Sequence, residues 1–205
     1  MSPARTVVRG LSRQACGLVL LLLAGIATGC RRAEPLPDQG TVPAFDLVDH
    51  TGAAFQSSAL AGTVWIANFV FTHCPDICPA LSQQMARLQR ELPERGGQDI
   101  RLVSFSVDPT RDTPAVLQAY ATQIGAGPHW RFLTGPRPAI SSLLREGFHV
   151  AWADDGPADM PITHSDRFAL VDRRQRIRGT YHGMDAADLA RLADDAVRLQ
   201  AHPDE

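Results

Sequence analysis

The stretch VWIANFVFTHCPDICPALSQQM, residues 64–85, carries the clearest structural pattern in the chain. Its first half is nearly all apolar and rich in β-formers, which is typical of a strand buried on both faces. Two cysteines, Cys74 and Cys78, follow it. Apolar residues then recur at the spacing of a helix: Leu81, Met85, Leu88 and Leu92. The stretch therefore predicts a core strand, then the cysteines, then a helix.

Strand and helix patterns alternate along the rest of the chain. The segments predicted as strands are Ala44–Val48, Ile100–Val107, Trp130–Leu133, Phe168–Val171 and Ile177–Tyr181. The segments predicted as helices are Pro114–Ile124 with Thr113 as its cap, Pro138–Glu146 and Ala186–Gln200. This order predicts an α/β fold with a central mixed sheet, helices on both faces and a hairpin at the N-terminus.

The position of the cysteines narrows the fold class. They follow the first core strand and open the next helix, which resembles the arrangement of the three-layer thioredoxin-like fold. A helix N-terminus carries partial positive charge and free N–H groups, and both lower the pKa of a nearby thiol. Thiols four residues apart also project to the same side of a helical turn.

Residues 1–29 have the plan of an export signal. Three arginines precede an apolar run over Leu18–Ile26, and small residues lead into Cys30. The apolar run is shorter than the roughly 20 residues that a stable membrane span needs. The sequence Ala27-Thr28-Gly29-Cys30 resembles a bacterial lipobox, in which the cysteine becomes the lipidated first residue of the mature protein.

We therefore expect three parts: a lipoprotein-type signal peptide at 1–29, a lipid-anchored tether at 30–42 and a folded domain at 43–202. Removal of the signal takes three arginines and no acidic residue from a chain of net charge −2. A phosphate-binding surface needs a basic excess, so nucleic acid is not expected as a partner. We expect an exported bacterial protein, anchored to a membrane and facing the periplasm or the outer side of the cytoplasmic membrane.

Cys74 and Cys78 are the cysteines left in the expected domain, since Cys16 and Cys30 belong to the signal and its end. They could form a redox disulfide, bind a metal, staple the fold or lie buried without chemistry. A staple that closes so short a loop constrains the unfolded chain little. Three residues separate the cysteines, whereas thioredoxin-type reductases have two. Two thiolates are also soft ligands for Cu(I), Zn or Fe–S centres, and such a site needs further ligands.

His164 is the histidine best placed to add a ligand. It follows a loop at 154–161 and leads into the strand Phe168–Val171, and in a thioredoxin-like fold the segment entering this strand faces the cysteine helix. Asp108 ends a core strand at the edge of the sheet where α/β sites form. His50 lies in a turn, where we expect it to be solvated.

Four stretches of the chain resemble the SCO/SenC family of copper-binding assembly proteins for cytochrome c oxidase. They are FTHCPDICP at 71–79, SFSVDPTRDTP at 104–114, HWRFLTG at 129–135 and THSDRFALVD at 163–172. They occur in order across nearly the whole expected domain. Thr163 stands where many members of the family have an aspartate.

The resemblance implies that Cys74, Cys78 and His164 bind copper, as Cu(I) or Cu(II). It implies a metallochaperone that receives copper from a donor protein and delivers it to the copper A centre of an oxidase subunit. Asp108 and Asp166 are the carboxylates expected behind the ligands. The alternative is a thiol–disulfide oxidoreductase, in which Cys74 and Cys78 form a redox disulfide that reduces the subunit's cysteines before metallation.

Overall fold

The computed structural model describes residues 34–74, 77–150, 152–153 and 163–203, and only the backbone of Trp152, Thr163 and His164. The expected signal peptide and Cys30 lie outside the described residues. Among the described helices, none is long and apolar enough to cross a membrane. From Pro35 onward the chain belongs to one compact unit, which is described below.

Strands and helices alternate as the sequence predicts. The strands are β1 Asp46–Asp49, β2 Ala54–Gln56, β3 Trp65–Val70, β4 Arg101–Ser106, β5 Trp130–Thr134, β6 Trp152–Ala153, β7 Thr163–His164, β8 Arg167–Val171 and β9 Ile177–His182. The helices are α1 Ile77–Glu94, α2 Pro114–Gln123, α3 Arg137–Ser142 and α4 Ala186–Ala201. A 3₁₀ turn follows β2 at Ser57–Leu60, and a π-helical turn extends α3 at Leu143–Gly147.

Seven of the strands form one mixed sheet in the order β2-β1-β5-β4-β3-β8-β9. The three central strands, β3, β4 and β5, run parallel. The antiparallel additions are β1 beside β5 and the β8–β9 hairpin beside β3. The predicted mixed sheet and N-terminal hairpin are confirmed. A separate ladder of β6 and β7, which pairs Trp152 with His164, was not predicted.

Apolar layers cover both faces of the sheet, as the three-layer fold requires. The helices α1, α2 and α4 pack on one face, where their buried residues include Leu81, Leu117 and Leu192. The other face is covered by α3, its π-helical extension and the chain that follows. Phe148 from this second layer packs edge-on against Phe69, with ring centroids 5.2 Å apart. The continuous apolar runs of the central strands thus meet a core on each side.

A chain of buried polar side chains crosses the three parallel strands. The indole Nε1 of Trp130 donates to Ser104 Oγ at 2.9 Å, and Ser104 Oγ donates to Asn68 Oδ1 at 2.5 Å. All three residues are fully buried, and Asn68 lies directly opposite Ser104 in the ladder. These two hydrogen bonds join the three strands inside the apolar core, while Asn68 Nδ2 is buried without a hydrogen-bond partner among the described residues.

Residues 36–42, the C-terminal half of the expected tether, are bonded to the domain at β9 and at the turn before it. The carbonyls of Leu36 and Pro37 accept from the guanidinium of Arg178 at 2.6 and 2.9 Å. The backbone N–H of Gln39 donates to Ile177 at 2.9 Å, and Ile177 donates back to Gly40 at 2.8 Å. This segment therefore belongs to the folded unit.

His50 is buried in its turn, so the expectation of a solvated side chain was wrong. The backbone N–H of Phe132 donates to the ring nitrogen Nδ1 of His50 at 3.2 Å. The backbone N–H of His50 donates to the Phe132 carbonyl at 2.9 Å. Pairing of β1 with β5 draws the turn onto β5, which local sequence cannot reveal. Burial lowers the pKa of the His50 imidazole, although the Asp49 carboxylate opposes this shift.

The buried His50 predicts a loss of stability at mildly acidic pH. Below the ordinary histidine pKa of about 6.5, the unfolded chain binds a proton that the folded chain excludes, so the free energy of unfolding falls until the pH reaches the lowered pKa. In His50→Asn, whose amide oxygen can accept the same hydrogen bond, this part of the decline should vanish. Urea unfolding at about pH 7.5 and about pH 5.5 measures it. An equal decline in His50→Asn and in the exposed control His202→Asn would contradict the assignment.

Candidate metal centre

The cysteine pair lies where β3 ends and α1 begins. Cys74 is half-buried in the connecting loop, and Cys78 is fully buried in the first turn of α1. Pro79 fits this turn because the first N–H groups of a helix have no partner within the helix. The apolar face of α1 then holds the helix on the sheet through Leu81 and Met85. The predicted helix N-terminus at the cysteines is thus present.

The two cysteines form no disulfide in the described structure and are joined by a hydrogen bond at the helix N-terminus. The backbone N–H of Cys78 donates to Cys74 Sγ at 3.4 Å, within the range of a hydrogen bond to sulfur. An N–H group at this position stabilises negative charge on the sulfur. Burial, together with the neighbouring Cys74 side chain, raises the pKa of the Cys78 thiol far above its ordinary value. The Cys78 thiol therefore stays protonated at neutral pH, and a metal cation that binds its sulfur would displace the proton.

The backbone of His164 lies near the same edge of the sheet. It ends β7, and β8 begins three residues later at Arg167. β8 runs antiparallel to β3, with Ala169 opposite Ala67, so the start of β8 lies beside the end of β3. The topology thus brings the His164 backbone towards the cysteine loop, while its place among the metal ligands stays a prediction. Among the described side chains, no group of three His, Cys, Asp or Glu residues could hold a metal ion. The His164 side chain is not one of the described side chains.

Asp112, which the sequence analysis missed, connects the cysteine loop to the loop after β4. Its carboxylate accepts from the Thr72 hydroxyl at 2.6 Å, from the Thr72 N–H at 3.2 Å and from the Ser106 hydroxyl at 2.6 Å. Asp112 is fully buried, and burial raises the pKa of its carboxyl although these hydrogen bonds oppose the shift. Thr72 and Asp112 are 40 residues apart in the sequence, so local sequence patterns do not indicate that Asp112 connects the two loops.

Asp112→Ala is expected to lower the free energy of unfolding by about 2–4 kcal/mol, because hydrogen bonds to a charged group contribute roughly 1.5–3 kcal/mol and the buried Ser106 hydroxyl loses its acceptor. Asp112→Asn should cost far less. Its amide oxygen can accept from Thr72 while its NH₂ donates to Ser106. Urea unfolding of both variants measures the difference. Equal losses for Ala and Asn would show that charge, and not the hydrogen-bond pattern, matters at this position.

Asp108 and Asp166 make other contacts in the described structure. Asp108 is buried and pairs with the Arg111 guanidinium, while its backbone N–H donates to Ser106 Oγ at 3.1 Å. Asp166 Oδ1 lies 3.0 Å from Nδ1 of His182, the last residue of β9. Each carboxylate therefore has a cationic or imidazole partner of its own, and their expected role behind the copper ligands stays a prediction.

A family model described as SCO1/SenC matches residues 33–199. The chain belongs to this family. A relative from Bacillus subtilis strain 168, described as an SCO1 protein homolog, is 31% identical over 181 residues, which cover 87% of this chain and 90% of the relative. The region that the family model matches includes both cysteines, Asp112 and His164.

Solved structures of SCO1/SenC proteins have the same fold. A family lipoprotein from Bacillus anthracis gives a TM-score of 0.74 at 29% identity, covering 82% of this chain and 98% of the other. ScoI from Arabidopsis thaliana with copper bound gives 0.69 at 28% identity, covering 79% and 99%. BsSco, described with a disulfide switch and as a member of the Sco family of cytochrome c oxidase assembly proteins, gives 0.71 at 28% identity, covering 82% and 97%. The thioredoxin-like arrangement of the sheet and helices is confirmed.

Proposed function

We propose that this protein is a copper metallochaperone that binds copper through the thiolates of Cys74 and Cys78 and the imidazole of His164. It delivers copper to the copper A centre of cytochrome c oxidase during assembly of that enzyme. One observation carries the proposal: the two cysteines meet at the start of α1 without a disulfide between them, and the Cys78 backbone N–H donates to Cys74 Sγ at 3.4 Å. The backbone of His164 approaches the same edge of the sheet.

The donor set suits copper as cargo. Two thiolates and an imidazole are the soft and borderline ligands that Cu(I) prefers, and an added oxygen ligand would accommodate Cu(II). The backbone N–H of Cys78, at the start of α1, donates to Cys74 Sγ and helps to hold that sulfur in place. Because burial raises the pKa of Cys78, copper must displace its proton, and the apparent affinity should decrease as the pH falls.

The proposed location follows from the N-terminal sequence. Cleavage before Cys30 and lipidation of that residue would anchor the domain to a membrane, facing the periplasm or the outer side of the cytoplasmic membrane. The similarity to a Bacillus anthracis lipoprotein supports this placement. The proposed partners are the copper A subunit of the oxidase and a protein that donates copper. Both would meet the domain outside the cytoplasm.

Copper loading tests the proposal directly. Residues 31–205 contain the whole compact unit and serve as the soluble domain. After reduction, they should retain about one copper per chain, and Cu(II) should produce the absorption of sulfur-to-copper charge transfer. Transfer of that copper to a purified copper A domain of an oxidase tests the delivery step. A reduced domain that retains no copper after gel filtration would end the proposal.

The oxidoreductase remains a second candidate, favoured by the hydrogen bond from the Cys78 backbone N–H to Cys74 Sγ, which holds the two cysteines together. The half-exposed Cys74 sulfur would attack a disulfide of the oxidase subunit, and Cys78 would resolve the mixed disulfide. Two electrons and two protons would pass to the target while Cys74 and Cys78 become a disulfide. This role does not need His164. Full oxidase activity in cells that carry His164→Ala would favour it over copper delivery.

A further inference from the structure

The turn after β9 places an imidazole and a thioether beside the candidate metal centre. His182 ends β9, Gly183 and Met184 form the turn, and the Asp185 N–H closes it by donating to the His182 carbonyl at 3.2 Å. His182 and Met184 are therefore two residues apart in one tight turn. The His182 side chain is 49% exposed and Met184 as a residue is 48% exposed, so ions from solvent can approach both.

Asp166 orients the His182 ring. Its carboxylate oxygens lie 3.0 and 3.3 Å from His182 Nδ1, so that nitrogen carries the proton and donates it to the carboxylate. Nε2 is then left with its lone pair and has no hydrogen-bond partner among the described residues. A carboxylate that holds one imidazole nitrogen while the other faces outward is the usual support of a metal-binding histidine.

Met184 has a structural alternative, because it precedes the Asp185 cap of α4. A residue at that position often packs against the helix as a hydrophobic staple. Such packing buries the side chain, whereas Met184 is the large apolar residue that stays exposed among the described residues. Its thioether is a soft ligand of the kind that selects Cu(I).

Gly183 fixes the turn against the helix of the cysteine pair. A Cβ on this residue would lie 2.6 Å from Leu81 Cδ2 and 2.7 Å from Phe168. Leu81 is three residues beyond Cys78, so the turn after β9 rests on the N-terminal part of α1. Since the inner side of the turn has no room for a side chain, His182 and Met184 lie at the surface, close to the cysteine edge of the sheet.

We propose that His182 Nε2 and Met184 Sδ form a second, weaker Cu(I) site, oriented by Asp166 and located next to the Cys74–Cys78 edge. Imidazole and thioether together provide two soft donors, and an exposed pair of this kind exchanges its metal readily. Its use as a station for copper rests on the proposed function. Binding itself does not, because the donors are separate from those of the first site.

Silver(I), a redox-inert mimic of Cu(I), tests the site in a chain that lacks the first one. The test protein is residues 31–205 with Cys74→Ser, Cys78→Ser and His164→Ala combined, labelled at methionine methyls and histidine nitrogens for NMR. We expect the Met184 methyl and the His182 ring nitrogens to shift together on titration. The methyl of the fully buried Met85 should stay in place and serves as the internal control.

Three further variants in that background decide the outcome. His182→Asn and Met184→Leu should each abolish the coupled shift, and Asp166→Asn should weaken silver binding by about tenfold because the ring loses its support. Silver that shifts neither residue would overturn the proposal. So would a Met184 shift that persists unchanged in His182→Asn, since the thioether would then bind alone. Because the first site is absent throughout, none of these results depends on the proposed metallochaperone role.

Discussion

Replacement of Cys78 by alanine is expected to abolish copper retention by the reduced domain. The thiolate supplies one of three proposed ligands, and Cys74 alone would leave copper with one sulfur. Cys74→Ala should have the same effect. His164→Ala should retain sulfur-to-copper absorption in a changed form and weaken affinity by more than tenfold, a loss of at least about 1.4 kcal/mol. Absorption spectra and competition with a Cu(I) chelator measure both quantities.

His73→Ala is the matched control for the histidine substitution. His73 directly precedes Cys74 but is exposed, and its Nδ1 lies 3.0 Å from the Thr72 hydroxyl. Its removal should leave the copper stoichiometry unchanged and the affinity within about threefold. Circular dichroism would show that the Cys78 variant is folded, since Cys78 is part of the apolar core. Unaltered copper binding in His164→Ala would remove His164 from the site and favour a dithiol.

Arg178→Met is expected to lower the free energy of unfolding by about 3–5 kcal/mol, the usual effect of breaking a buried ion pair from one side. Arg178 is 5% exposed and its NH1 group donates to Asp172 Oδ2 at 3.0 Å. The substitution leaves the buried Asp172 charge without this partner. It also removes the donor that holds the carbonyls of Leu36 and Pro37. Urea unfolding followed by circular dichroism measures the loss.

Arg176→Met provides the comparison for that experiment. Arg176 pairs with Asp38 in the same region, but both side chains are more than 40% exposed. Exposed pairs contribute about 1 kcal/mol or less, so this variant should remain close to the wild type. If Arg178→Met were as stable as Arg176→Met, the buried pair would not hold residues 36–42 in place. Faster proteolysis of that segment in Arg178→Met would agree with the stability result.

Local sequence predicts the elements that carry strong local signals. The apolar run at 64–71 predicts β3, and Thr113 followed by Pro114 predicts the start of α2, where the Thr113 hydroxyl accepts from the Val116 N–H at 3.4 Å. The features that local sequence does not predict, the β6–β7 ladder and the burial of His50, depend on short strands or long-range contacts. The β6–β7 ladder has two residues in each strand, too few for a periodic pattern. Burial of His50 depends on β5, far along the chain.

The residues of the candidate site also differ in how far the sequence predicts them. Cys74 and Cys78 are visible from their spacing, because both lie in one local motif at a helix start. His164 enters through the order of the strands and the family resemblance. The role expected for Asp166 behind His164 stays a prediction, and the pairing of Arg167 with His182 brings the Asp166 carboxylate to the His182 ring. Asp112 depends on a contact between two loops, which spacing along the chain does not encode.

The buried hydrogen bonds among Trp130, Ser104 and Asn68 fix the register of the three parallel strands, and with it the position of the site at the end of the sheet. Parallel strands made of continuous apolar residues have little to distinguish one pairing offset from the next. A slip of one residue would turn the Ser104 hydroxyl to the opposite face and leave two buried polar groups without partners, at a cost of about 1–3 kcal/mol each. With the correct offset, Val70 lies opposite Ser106. The loops that follow then leave the sheet at the same level, so the contacts between the cysteine loop and the loop after β4 depend on a pairing two residue pairs deeper in the core.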